Sequence, residues 1–125
     1  MQRRGRSALG RRGEDLACDF LCSRGHRILE RNWRGGHLEI DIISEADDGV
    51  HFVEVKSRTA PAEAAPEEKV GVLKQRRISE AALKYLNART GGEGQEVFFD
   101  IVSVLFDGNG AEVKYFPQAW IPLYT

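Results

Sequence analysis

The chain has 125 residues and a mass of 14.0 kDa, with 42% hydrophobic and 30% charged residues, the balance of one soluble globular domain. A net charge of -1 and a pI near 6.3 argue at first sight against a polyanionic partner, because phosphate binding is mainly electrostatic. No run approaches the roughly 20 apolar residues of a membrane span and no apolar segment follows the basic start, so membrane and secretory readings are set aside and a cytoplasmic location is expected. The average charge conceals segregation. Residues 1–34 carry +5, residues 35–68 carry -7, residues 69–90 carry +5 and residues 91–125 carry -4. Such a chain can present a basic face beside an acidic pocket, as a metal-dependent enzyme acting on phosphates needs, although solvated helices give the same arithmetic.

In chain order, residues 1–8 read as a mobile basic arm with Arg3, Arg4 and Arg6, leading past Ser7, a candidate cap, into a helix. Leu9, Gly13, Leu16, Ala17, Phe20 and Leu21 recur at helical spacing, and the helix ends near Ser23 with Gly25 as its breaker. Glu14 falls at the margin of that apolar stripe. Cys18 and Cys22, four apart in the same helix, have poor disulfide geometry and are expected as buried or half-buried thiols. Arg27 to Arg34 reads as a strand, and Gly35-Gly36 as a hairpin turn into a second strand over Leu38 to Ser44. Strict alternation there puts Leu38, Ile40 and Ile42 on one face and Glu39 and Asp41 on the other. Asp47-Asp48-Gly49 turns into a third strand, Val50 to Ser57, with Phe52, Glu54 and Lys56 on one face and Val53 and Val55 on the other. These three form an antiparallel meander.

Ala60 to Pro66 is a loop that could serve as a lid. A second helix over Glu67 to Ala88 has Val70, Leu73, Arg77, Ile78, Ala81, Ala82, Tyr85 and Leu86 at helical spacing and Lys69, Lys74, Arg76 and Lys84 on the remaining surface. Gly91-Gly92 ends it, Val97 to Phe106 is an apolar strand, and Asp107 to Gly110 turns into a last strand, Ala111 to Phe116. There is no internal repeat and no domain boundary. The order α-β-β-β-α-β-β predicts a single α/β domain with helices covering a sheet.

The chemistry-bearing set is Asp41, Glu54 and Lys56, with Glu39 and Glu14 near. Magnesium takes hard oxygen ligands and keeps several waters, so two carboxylates on adjacent strands suffice to hold it. A lysine on the same strand face can orient or help deprotonate the attacking water. Glu-x-Lys is a cheap pattern, however. It occurs three times here, the others being Glu67-Glu68-Lys69 and Glu112-Val113-Lys114, where composition predicts about 0.5. Asp100 precedes Glu112 much as Asp41 precedes Glu54, so spacing alone does not choose between them. Exposed cross-strand ion pairs are the bland alternative for either.

The order Gly10-x-x-Gly13-Glu14, Arg31-Asn32, Glu39-Ile40-Asp41-Ile42-Ile43, Phe52-Val53-Glu54-Val55-Lys56-Ser57-Arg58, Lys69 and Phe99-Asp100 resembles the YraN family of small bacterial endonuclease-like proteins. That family is similar to the PD-(D/E)XK nucleases, with the restriction-endonuclease-like fold, and among them to archaeal Holliday junction resolvases. The resemblance implies a central mixed β-sheet flanked by helices. It implies Asp41 and Glu54 as ligands of Mg or Mn, Lys56 as the catalytic lysine and Glu14 as the helix carboxylate, itself a metal-site candidate that could hold a second metal or a water. It also implies DNA as partner, branched or structured DNA included, and a homodimer. Leu38 and Phe98 depart from the family pattern, which has Gly and Arg there, and Glu39 is not assigned as a ligand.

Arg11, Arg12, Arg58, Lys69 and Lys74 are candidate phosphate contacts, with plain solvation as the competing account. His26, His37 and His51 are scattered without metal-ligand spacing. Trp33, Phe52 and Tyr85 read as core rather than base-stacking platforms. Two readings stay open: a magnesium-dependent nuclease, and a non-catalytic nucleic-acid-binding or scaffolding module keeping the same fold, with a protein-interaction domain as a weaker third. On the nuclease reading, the bases should ring the carboxylate cluster.

Overall fold

The computed structural model describes residues 7–61, 70–89 and 94–122. Helix α1 spans Ala8–Ser23. Its first turn is closed by Ser7, whose Oγ accepts the Gly10 N–H at 3.0 Å, and Gly25, with a left-handed φ of 89°, turns the chain out of it. Strands β1 (Arg27–Gly35), β2 (Leu38–Ala46) and β3 (Gly49–Thr59) form an antiparallel meander. Helix α2 (Val72–Ala88) then crosses, so that β4 (Val97–Asp107) lies parallel to β3, and β5 (Gly110–Trp120) returns antiparallel at the edge. The result is one mixed five-stranded sheet in the order β1-β2-β3-β4-β5. This is the α/β architecture and element order that the sequence predicts.

The two helices cover opposite faces. Against α2, Ile40, Ile43, Val50, Phe52, Phe99 and Ile101 pack on Ile78, Ala81 and Ala82. Against α1, Ile42, Val53, Val102, Val104 and Phe106 pack on Ala17, Cys18 and Leu21. Trp33 and Tyr85 meet edge-on at 5.5 Å, half-buried at the margin of the α2 side, with Phe52 buried beside them, so these aromatics are core or half-core.

Several expectations need correction. Leu38 and Ile40 face α2 while Ile42 faces α1, so β2 does not alternate strictly. The exchange of faces occurs at Asp41 and, on β1, at Asn32, which lies across the ladder between the Arg31–Ile42 and Trp33–Ile40 pairs with a left-handed φ of 53°. Helix α2 starts at Val72, after Gly71, so Val70 is buried from an extended segment and Leu73 is exposed. Strand β5 runs on to Trp120 through Pro117, which an edge strand tolerates, and Trp120 stacks on Phe99 at 4.4 Å. Cys22 is exposed, because each step of four residues advances about 40° around α1 and its last turn rotates this position off the sheet. The basic arm at 1–6, residues 62–66 of the proposed lid and the start of the second helix at 67–69 lie outside the described residues.

Candidate active site

β2 and β3 pair from Ala46–Gly49 to Ile42–Val53 and then part. At the parting point the Asp41 side chain takes over from the backbone: its Oδ2 accepts the Val55 N–H at 2.9 Å. The Asp41 and Glu54 carboxyls are neighbours there, close enough for the Glu54 charge to act on Asp41. Helix α1 supplies the third acid. Glu14, only 5% exposed, lines the same cavity as Asp41 and Glu54, together with Ser7, Leu9, Gly10, Val55 and Ser57, around a volume of about 310 Å³. The close approach of α1 to β3 depends on Gly13, where a Cβ would fall 1.8 Å from Ser57 Oγ.

Burial, reinforced by the neighbouring Glu54 charge, pushes the Asp41 pKa up to about 8, against an ordinary value of 3.8. Two carboxyls this close must share a proton or a cation. Lys74, from the first turn of α2, gives Glu54 such a cation, its Nζ donating to Oε2. Burial works against the Lys74 charge, but the bond to Glu54 and the charges of Glu54, Asp41 and Glu39 outweigh it and raise its pKa. On the opposite side Arg31 Nη2 bonds Asp15 at 2.8 Å and stands 3.8 Å from Glu14 Oε1.

The donor chemistry fits a hard divalent cation. Among the described residues no three His, Cys, Asp or Glu side chains form a ready-made metal cage. Asp41 and Glu54, with Glu14 lining the same cavity, are the residues that could hold magnesium, which keeps several waters and needs few protein ligands.

Of the remaining sequence candidates, Lys56 is half-buried two residues beyond Glu54 on β3 and does not line the cavity. Arg11 and Arg12 are exposed on α1, with the Arg12 guanidinium 4.7 Å over the Phe106 ring, and Arg58 is half-buried on β3 opposite Leu105. Lys69 lies outside the described residues. Glu39 is half-exposed, 3.9 Å from Arg34, and is not part of the cavity. Among the described residues the bases do not form a simple ring: Lys74 and Arg31 flank the acids, whereas Arg27 and Arg89 pair with Glu45 and Arg24 lies over Phe20.

The decoy set comes apart in three dimensions. Glu112 is exposed opposite Leu105, five residues along β4 from Asp100. Asp100 is 1% exposed and fully engaged: His51 Nδ1 donates to Oδ2 at 2.6 Å, Tyr115 OH to the same oxygen at 2.6 Å, and Gln118 N–H to Oδ1 at 2.9 Å. His51 Nε2 reaches Asp48 at 2.7 Å, so both ring nitrogens face carboxylates. Burial opposes the charged ring, yet the bonds to Asp100 and Asp48 prevail and raise its pKa. His26, its ring tilted against that of His51 at 4.5 Å, has its pKa lowered by burial and by that neighbour, and its Nδ1 contacts Ser44 Oγ at 2.9 Å. This buried network ties β5 to β3 and β4, and sequence reading missed it because its bonded partners are up to 49 residues apart.

Among the described residues no helix is long and apolar enough to cross a membrane. A family model described as Uncharacterised protein family UPF0102 matches residues 13–104. A UPF0102 protein of Anaeromyxobacter dehalogenans is 45% identical over 116 residues, covering 93% of this chain and 86% of its own. One from Myxococcus xanthus is 39% identical over 115 residues, covering 92% and 90%. Among solved structures, SfsA of Pyrococcus furiosus in complex with Ca2+ aligns with a TM-score of 0.41 at 16% identity over 88% of this chain. The alignment spans 62% of SfsA, less than two thirds of its length, and is too loose to bear on the site. The family match and the relatives along more than nine-tenths of the sequence agree with the motif resemblance: the chain belongs to UPF0102, the YraN family.

Proposed function

We propose that this protein is a metal-dependent nuclease that hydrolyses phosphodiester bonds in DNA, with branched or structured DNA among its substrates. The observation that carries the reading is the convergence of Glu14, Asp41 and Glu54, from three separate elements, on one cavity where two strands part. Asp41 and Glu54 would hold magnesium or manganese, with Glu14 facing it across the cavity. When bound, the cation polarises the phosphodiester and lowers the pKa of an attacking water. The chain's own contribution is rigidity: the Val55 N–H fixes the Asp41 carboxylate, and Arg31 steadies the α1 acids. Lys56, on the strand that carries Glu54, is the residue proposed to orient the water, and Arg11, Arg12, Arg58 and Lys69 are proposed to meet the phosphate backbone.

The test is incubation with labelled duplex, single-stranded and four-way-junction DNA, with and without Mg2+ or Mn2+. Cleavage should require the metal and fall on the order of 100-fold or more in both Asp41→Ala and Glu54→Ala, the scale of losing a group that stabilises transition-state charge. Cleavage that survives in both variants would place the chemistry elsewhere. Salt-sensitive DNA binding without cleavage, indifferent to both substitutions, would instead support a non-catalytic binding module.

A further inference from the structure

The sequence presents Lys74 as one surface base among several, yet among the described residues it is the lysine that bonds Glu54, beside Asp41. Its side chain is 51% exposed, whereas that of its partner Glu54 is 10% exposed, so the ammonium approaches from the solvent side and closes on an inward-facing acid. The helix turn that carries it is pinned. Val70 is buried in the α2-side core, Gln75 Nε2 donates to the Val70 carbonyl at 2.8 Å, and the Gln75 N–H donates to the Gly71 carbonyl at 2.9 Å. Lys74 therefore stands over Glu54 because the start of α2 is held there. Lys56, by contrast, shares the strand of Glu54 but makes no ion pair among the described residues.

An ammonium and a divalent cation seek the same oxygen. We infer that Lys74 is a built-in placeholder for the metal: its ammonium neutralises the Asp41–Glu54 pair until a divalent cation displaces it, and the freed lysine then turns to the phosphodiester. The inference rests on the metal-dependent reading above and adds an order of events to it. A protein whose binding-competent form is only a fraction of the population shows an affinity weakened by that fraction, so the placeholder lowers apparent metal affinity. Removing it should tighten metal binding while weakening cleavage. A lysine that merely held Glu54 in position would do the opposite to the first quantity, because its loss would loosen a ligand.

The experiment is Mn2+ titration of the full chain by calorimetry, without DNA, for wild type, Lys74→Met, Lys74→Ala, Lys74→Arg and Arg76→Met. Arg76 is an exposed base two residues along the same helix and measures the effect of charge at a distance. Lys74→Met and Lys74→Ala should each bind Mn2+ about tenfold more tightly than wild type, as removal of a competing conformer predicts. Lys74→Arg should stay near wild type, and Arg76→Met should change affinity by less than about threefold, as expected for a solvent-screened charge. Wild-type binding with Lys74→Met equal or weaker, or with Arg76→Met matching it, would overturn the inference and leave the metal site standing. Absence of Mn2+ binding in wild type and Lys74→Met alike would remove both.

Discussion

Asp41 occupies the position of a backbone acceptor, taking the Val55 N–H where the β2–β3 ladder ends, and this geometry keeps its carboxyl turned inward toward Glu54. Its elevated pKa has a defined linkage sign. An acid whose pKa is raised on folding contributes stability that is fully present below its ordinary value of 3.8 and is lost as pH rises through about 8. Asp41→Asn removes that dependence and can keep the Val55 bond. In chelator, the melting temperature of Asp41→Asn minus that of wild type should grow between about pH 4 and pH 8, reach at least about 3 °C, and level off above. A difference that is flat or shrinks with pH would contradict the raised pKa. Asp41 and Glu54 were legible in the sequence because a carboxylate amid apolar strand residues is conspicuous and the motif resemblance favoured this triplet. Lys74 and the His51–Asp100 pair were not, since the choice of partner among five lysines, or across 49 residues, is made by tertiary packing.

At the scale of elements, the site exists because α1 crosses β3 closely enough to bring Glu14 to the parted strands. Gly13 permits that approach. Alanine there gains about 1 kcal/mol of helix propensity but meets Ser57 Oγ at 1.8 Å and Ser57 Cβ at 3.0 Å, and overpacking of this kind costs about 1–3 kcal/mol. Gly13→Ala should therefore lower the denaturation midpoint and weaken metal binding, with partial recovery in Gly13→Ala/Ser57→Ala, as chemical denaturation and Mn2+ titration would show. A stabilised Gly13→Ala with unchanged metal affinity would mean that α1 does not depend on this contact. The elements themselves were readable from local periodicity, down to the Ser7 cap and the Gly25 break. What local pattern could not give was the exchange of faces at Asn32 and Asp41, because strict alternation assumes an unbroken pleat. The start of α2 was misplaced for a related reason: Val70 is apolar and buried, as a helical residue would be, but reaches the core from outside the helix.

At the scale of the molecule, the alternating charge of the sequence folds, among the described residues, into local compensation more than into one basic face. Arg27 and Arg89 are spent on Glu45, Arg34 lies near Glu39, and Arg31 and Lys74 stand directly beside the cavity acids. The near-neutral net charge is thus compatible with a phosphate-processing site whose acids are offset by nearby bases and, on the proposed function, by a bound cation. The proposed chemistry depends on where that cation sits. Anomalous diffraction from crystals of the full chain grown with Mn2+ is the most direct measurement. The account predicts one strong peak within coordination distance of both Asp41 and Glu54, lost in Asp41→Asn. Manganese bound at another cluster, or no peak at the parted strands at saturating Mn2+, would contradict it.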